Sequence, residues 1–391
     1  MGAALPSGML AVFGAAWFAL AVFTYTWGCQ WRDWYRLACM SAERLGPRLA
    51  DDVCLVFESW PTMRPHTREH ATELLFFWVT NGDEHVRALI WDRLDVLVEC
   101  ALDARDRVIA IRCTAILLML ARYDAGETII TMLLDHGMMA FLHETVGLLD
   151  DGATTHLHLA LTAMAMLATD EMKPIDVEVM LDTIGHALRD ASEFGGGDTV
   201  RTCAELLNDI ATTSKQCAAY LTSYDDILHD LVHEGLLHEQ EGVARACVRV
   251  LITISAQRET HAASLALVNV GVFDQLGVLF GRTDWSDRVR RDTVRLMANI
   301  IADDEHMYAW VDSGLVTYMR SVSAEFDKPE FKEDCIICAS NALCGTTSAD
   351  DRELLALYGL ERIAVMGLTY APTSDVYTLC VEALMHVCRF Q

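Results

Sequence analysis

The chain has 391 residues, 52% of them hydrophobic, and carries 56 acidic against 30 basic residues, a formal charge of −26 with an isoelectric point near 4.8. So acidic a balance excludes a general nucleic-acid-binding role, because phosphate contacts rest on net positive surface. Only seven prolines and a large apolar fraction exclude a disordered chain and favour helix.

In chain order, the first element is the run "MLAVFGAAWFALAVFTYTW", Met9 to Trp27, without a single charge. As a helix it spans roughly 28 Å, close to the ~30 Å hydrocarbon core of a bilayer. Tyr25, Trp27, Trp31 and Trp34 follow at the place of an interfacial aromatic belt, and Arg32, Arg36, Arg44 and Arg48 come after it. No Lys or Arg precedes the run, so the positive-inside rule puts the bulk of the chain in the cytosol or an equivalent compartment. A cleaved signal peptide fits less well: there is no basic leader, the apolar core is long and no Ala-x-Ala site follows. A hydrophobic helix buried against another protein is the other alternative. The expectation is a single-pass transmembrane anchor over residues 1–30 and one further domain over 31–391. Thirteen cysteines without a regular framework and the lack of any Asn-x-Ser/Thr sequon favour a reducing compartment.

Beyond the anchor the chain repeats. In "LVNVGVFDQLGVLF", "WVDSGLVTYMRSV" and "LALYGLERIAVMG" a short helix ends at a glycine and an apolar helix starts at once. Those glycines are Gly271, Gly314 and Gly359, and the same place upstream is filled by Asp226, Asp182, Gly137, Asp92 and Gly46, at intervals of 43 to 46 residues. A sharp helix-to-helix turn wants glycine or a capping residue, and Asp supplies the second. A longer helix completes each unit. In "SDRVRRDTVRLMANIIADD", Val289, Thr293, Leu296, Met297, Ile300 and Ile301 make one stripe at helical period. About eight such three-helix units, none able to bury its apolar faces alone, predict an all-α solenoid.

The third helices carry a specific resemblance. "RLMANIIA", "ASNALC" and "ELLNDIA", with Asn299, Asn341 and Asn208, resemble the Ala-Leu-Ser-Asn-Leu-Ala-like run of armadillo repeats over about residues 31 to 391. HEAT-like helix pairs are the structural alternative. The resemblance implies a right-handed superhelical solenoid whose third helices line a concave groove. In many members of that family a tryptophan four residues before the asparagine helps to clamp basic peptides. Here those positions hold Ala204, Arg295 and Ile337, a departure that speaks against basic cargo.

A ladder of arginines stands there instead. Arg288, Arg291, Arg295 and Asn299 share one face of their helix, and Arg245 and Arg249 match Arg291 and Arg295 one repeat earlier. Their forked guanidiniums suit carboxylates or phosphates, so an acidic segment of a partner protein or an anionic lipid headgroup is the expected ligand. The alternative is internal pairing with Asp287, Asp292 and other nearby acids.

Three further stretches resemble chemistry and read as structure. His229-Asp-Leu-Val-His233 has zinc-protease spacing, but Asp replaces Glu and beyond His238 no third ligand is obvious. Cys335-Ile-Ile-Cys338 matches the buried stripe positions Thr293 and Leu296. Gly195-Gly196-Gly197 lacks the Lys-Ser/Thr of a phosphate loop and reads as a loop between helices. No catalytic residue, metal site or cofactor is expected. The sequence therefore predicts a non-catalytic interaction scaffold bound to other protein subunits and to membrane lipid through its anchor. The leading role is an accessory structural subunit of a multisubunit membrane complex, with the solenoid on the cytosolic or matrix side and the mitochondrial inner membrane as the favoured location. The alternatives are a tethered adaptor on the mitochondrial outer membrane or endoplasmic reticulum, and, third, a metal-dependent enzyme.

Overall fold

The computed structural model describes residues 48–81, 84–103, 105–122, 126–149, 154–194, 196–256, 261–282, 285–301, 306–318, 329–345, 349–370 and 373–388. Among them no strand occurs. The expected anchor and its belt residues Tyr25, Trp27, Trp31 and Trp34 lie outside the described residues, as does Gly46. Among the described residues no single helix is long and apolar enough to cross a membrane.

The chain divides into two compact units, one ending at Leu167 and one starting at Ala168. The first contains α1 (Arg48–Ser59), a 3-10 turn (Trp60–Thr62), α2 (Pro65–Asn81), α3 (Glu84–Trp91), α4 (Leu94–Ala101) and α5 (Arg107–Ala121). α6 (Gly126–Asp135), α7 (Met138–Val146) and α8 (Thr154–Met166) complete it. The long helices α2, α5 and α8 pack in that order, with α5 between the other two. That position explains why α5 is buried from Ile109 to Leu118 without interruption. Asp106 starts α5 by accepting a hydrogen bond from the Ile109 amide at 3.3 Å.

The second unit opens with α9 (Pro174–Glu193) and α10 (Gly197–Thr213), then α11 (Lys215–Leu221), α12 (Asp225–His229), a π-wound turn (Asp230–Gly235) and α13 (Glu241–Ser255). Next come α14 (His261–Asn269), α15 (Val272–Gly281), α16 (Asp287–Ile300), α17 (Met307–Asp312) and α18 (Pro329–Cys344). The last triplet is α19 (Ala349–Leu357), α20 (Leu360–Tyr370) and α21 (Ser374–Cys388). The long helices α10, α13, α16, α18 and α21 lie side by side, each against the next. This is the stacked arrangement that the repeat spacing predicts.

Turn chemistry follows the sequence at most positions. Gly137, Gly271, Gly314 and Gly359 all have φ between +75° and +79°, a left-handed conformation that costs other residues about 1–2 kcal/mol. Asp92 lies in the two-residue turn between α3 and α4, and Asp226 sits in the first turn of α12, where the amide dipoles favour a carboxylate. Asp182 is different. It is an exposed residue inside the 20-residue helix α9, so the first and second helices of this repeat are fused. Val177, Met180, Leu181, Ile184 and Leu188 keep helical period straight through the expected turn, and the one glycine among them, Gly185, is a buried helical residue packed against Ile227.

The predicted stripe of α16 is buried throughout, from Val289 and Thr293 to Ile300 and Ile301. Cys335 and Cys338 are fully buried on the matching stripe of α18, and burial pushes the Cys335 thiol up to about 12. Buried cysteines also mark two close helix contacts. Gly235 stands against Cys247, and Gly367 stands against Cys380 and Ile336, each with no room for a Cβ. A glycine of the second helix thus lets the third helix of its own repeat approach. The glycine run proves partly helical: Gly197 is the buried first residue of α10, with Gly196 before it as the N-cap.

Candidate functional site

The third helices of the second unit are joined on one face by a regular set of side-chain bonds. Thr253 Oγ1 donates to Asn208 Oδ1 at 2.7 Å, Asn299 Nδ2 to the Ile252 carbonyl at 3.3 Å and Ser255 Oγ at 3.1 Å, and Asn341 Nδ2 to the Ala298 carbonyl at 2.8 Å. In each case a residue on the later helix reaches the position just before its counterpart on the earlier one. By that register the counterpart of Thr253 is Asp209, although "ELLNDIA" predicts Asn208. The exposure pattern agrees, because Glu205 and Asp209 are exposed on α10 while Ala204 is buried. The row four residues before is then Glu205, Arg249, Arg295 and Ile337.

The predicted arginines fall into two sets. Arg245 Nε donates to Asp292 Oδ2 at 3.1 Å, and Arg291 Nε to Asp334 Oδ2 at 2.7 Å. These pairs run diagonally from one third helix to the next and brace the stack. Asp334 is nearly buried, and burial raises its carboxyl above the ordinary value despite the opposing pull of Arg291 and Arg295. Arg249, Arg288 and Arg295, by contrast, are exposed and have no hydrogen bond or ion pair among the described residues. Arg249 lines a pocket of about 200 Å³ together with Glu205, Asn208, Asp209 and Ala246. Asn299 belongs to the bracing set.

The histidine pair of α12 and the following turn is committed elsewhere. His233 Nε2 is 2.8 Å from the Val270 carbonyl, and Gln275 Nε2 is 3.2 Å from His233 Nδ1. Both ring nitrogens are therefore engaged, the first as donor and the second as acceptor. His229 stacks on the ring at a centroid distance of 4.3 Å.

A crystal structure of an engineered protein aligns over 98% of this chain and 92% of its own, with a TM-score of 0.69 at 17% identity. A designed armadillo repeat protein in complex with peptide (KR)4 aligns over 63% of this chain and 99% of its own, with a TM-score of 0.52 at 18% identity. A computationally designed armadillo repeat protein for modular peptide recognition gives 64%, 100% and 0.51, at 20% identity. The fold is an armadillo-like helical repeat. At these identities the likeness carries the fold alone.

No protein-family profile matches the chain. Among curated proteins, the glycine cleavage system H protein of Chlorobium luteolum (strain DSM 273 / BCRC 81028 / 2530) is 32% identical over 117 residues. That stretch is 30% of this chain and 87% of the H protein. The likeness is local, whereas the designed armadillo repeat proteins align over 63% and 64% of this chain.

Sequence reasoning missed one cluster, on the first unit. His66-Thr-Arg-Glu69-His70 on α2 has two histidines four apart with a glutamate between, and Glu73 follows one turn later. The signal was present as the inverted His-x-x-Glu-His spacing. Arg112 of α5 is 7% exposed and sits against this row, 2.5 Å from Glu73 Oε1 and 3.5 Å from Glu69 Oε1. It also donates to the Glu69 carbonyl at 2.9 Å and lies 3.3 Å from His156 Nε2 of α8. Burial alone would raise the Glu73 carboxyl, but the hydrogen bond with His70 and the charge of Arg112 bring it below its ordinary value.

Proposed function

We propose that this protein is a non-catalytic interaction scaffold that receives an acidic segment of a partner protein on the third-helix face of its second unit. The observation that carries the reading is the division of the arginine ladder. Arg245 and Arg291 are bound to carboxylates, whereas Arg249 and Arg295, one repeat apart, stay exposed, Arg249 at the edge of the pocket that Glu205 and Asp209 also line. Stacked helices set neighbouring rows about 8–10 Å apart, which lies between the roughly 7 Å and 10 Å that separate residues two and three apart on an extended peptide, so long Glu and Arg side chains can bridge the difference. The designed armadillo protein similar to this chain was solved with a peptide of lysine and arginine. Within the row of Glu205, Arg249, Arg295 and Ile337, the two arginines carry the opposite charge requirement.

The experiment is fluorescence anisotropy on the full chain with two labelled octapeptides, one alternating Glu with Ala and one alternating Lys with Arg. The acidic peptide is expected to bind more tightly, to weaken at least tenfold in the R249E/R295E variant, and to lose affinity steeply with salt. Preference for the basic peptide, or unchanged affinity in the variant, overturns the reading.

The apolar run of residues 9–27 supports a membrane-tethered placement, and with it the role of an accessory subunit in a membrane complex such as one of the mitochondrial inner membrane. Native-gel migration of detergent extracts tests this. Recovery in a large stable assembly supports the subunit role, and migration as a small species supports a tethered adaptor.

A further inference from the structure

The charged row on α2 is organised around two imidazoles. Glu69 presents Oε1 to Arg112 and Oε2 to His66 Nδ1 at 3.6 Å. Glu73 repeats the arrangement one turn later, with Oε1 on Arg112 and Oε2 on His70 Nδ1 at 3.5 Å. One guanidinium thus holds two carboxylates, and each carboxylate orients one histidine. A proton on Nδ1 toward its carboxylate makes Nε2 the metal-binding atom of an imidazole. Those two Nε2 atoms face each other at 3.3 Å. Without a metal, an Nε2–H of one ring donating to the other accounts for that separation, and a metal ion binding both nitrogens displaces the shared proton.

We propose that His66 and His70 form a binding site for a divalent transition metal of the zinc, nickel or copper class. Imidazole nitrogens suit these ions. Two nitrogens bound to zinc at 2.0–2.1 Å span a tetrahedral edge of about 3.3 Å, which is the separation found. The His70–Glu73 hydrogen bond at 3.5 Å is of the carboxylate–histidine kind that orients imidazoles in metal sites, and Glu69 stands 3.6 Å from His66 Nδ1. The local charge also favours a cation, since two carboxylates outweigh Arg112 by one. Among the described residues no three His, Cys, Asp or Glu side chains converge on one point, so the pair supplies two ligands. Water or a group from a bound partner completes the coordination. The site is separate from the arginine row of the second unit, and neither reading depends on the other.

The test is calorimetric titration of Ni²⁺ into the full chain under reducing conditions, comparing the wild type with H66Q, H70Q and the control H229Q. H66Q and H70Q are each expected to lose one binding equivalent or to weaken it at least tenfold, while H229Q retains it. Wild-type titration curves in both H66Q and H70Q overturn the proposal. His66 is an exposed residue, so H66Q is the variant least exposed to folding effects. Electron paramagnetic resonance of the wild type with one equivalent of Cu²⁺ gives a second readout. Coupling to two imidazole nitrogens that falls to one in H66Q is expected, and a spectrum identical in both proteins overturns the site.

Discussion

Arg291 Nε donates to Asp334 Oδ2 at 2.7 Å, from the third helix of one repeat to the third helix of the next. The two ends are unequal, because the Asp334 side chain is 11% exposed and the Arg291 side chain 37%. Removing the arginine therefore strands a carboxylate that burial already disfavours. R291M is expected to cost about 1–3 kcal/mol, and R291M/D334N to recover most of it. The sign with pH follows from the raised Asp334 carboxyl. A carboxyl raised in the folded state favours folding in its protonated form, so the R291M deficit is absent at pH below the ordinary carboxylate value. It grows as pH rises through the shifted one. Urea denaturation of the four proteins of the cycle at acidic and neutral pH measures both effects.

Asn299 carries a second prediction, because its amide is spent on the preceding repeat. Both of its donated bonds go to α13, at the Ile252 carbonyl and Ser255 Oγ. N299A is expected to lower stability by about 1–2 kcal/mol and to leave affinity for the acidic octapeptide within about twofold. A large loss of affinity without loss of stability would assign Asn299 to the ligand instead. Thermal denaturation and anisotropy on the same sample separate the two.

Periodicity made the repeat legible, because stripes such as Val289 to Ile301 and glycine turns such as Gly271 are set by local physics. The fused helix α9 escaped because Asp182 occupies the right interval and reads as a cap. Only the unbroken apolar period on either side of it says otherwise. The arginine ladder was legible as a set, but which arginines find a carboxylate depends on a neighbour 43 to 47 residues away. That is a property of stacking register, and a one-residue shift on α10 exchanges Asn208 for Asp209. The His66–Glu73 row was overlooked even though its spacing stands in the sequence. Its organiser, Arg112, arrives from another repeat.

Gly367 faces Cys380 and Ile336 with no space for a methyl group, and Gly235 faces Cys247 in the same way. Overpacking of this kind costs about 1–3 kcal/mol. G367A and G235A are each expected to destabilise by that amount, while G277A, which meets open space, leaves stability unchanged or slightly raised. The decisive comparison pairs G367A with C380A. If close packing is the cause, the double variant G367A/C380A is more stable than the sum of the two single changes implies. Additive losses in denaturant midpoints would show that the glycine acts through backbone freedom alone.

Half-buried Cys100 provides a chemical prediction of opposite sign to the buried thiols. Its hydrogen bond with Cys113 lowers it to about 7, against the effect of burial and with help from Trp60 and Arg68. Cys203 and Cys247 are pushed up to about 12 by burial. The thiolate is the nucleophile, so Cys100 is expected to alkylate with a half-maximal rate near pH 7, while Cys203 and Cys247 stay unmodified until the chain unfolds. Replacing Cys113 with alanine removes the hydrogen-bond partner and lets the Cys100 thiol return toward its ordinary value of 9.0. Less thiolate at pH 7, partly offset by the greater nucleophilicity of a more basic thiolate, gives a rate roughly sixfold lower. Residue-resolved mass spectrometry after short iodoacetamide pulses between pH 6 and pH 9 reads the profile directly. A Cys100 profile unmoved by C113A would place the cause of its acidity in Arg68 and Trp60 instead.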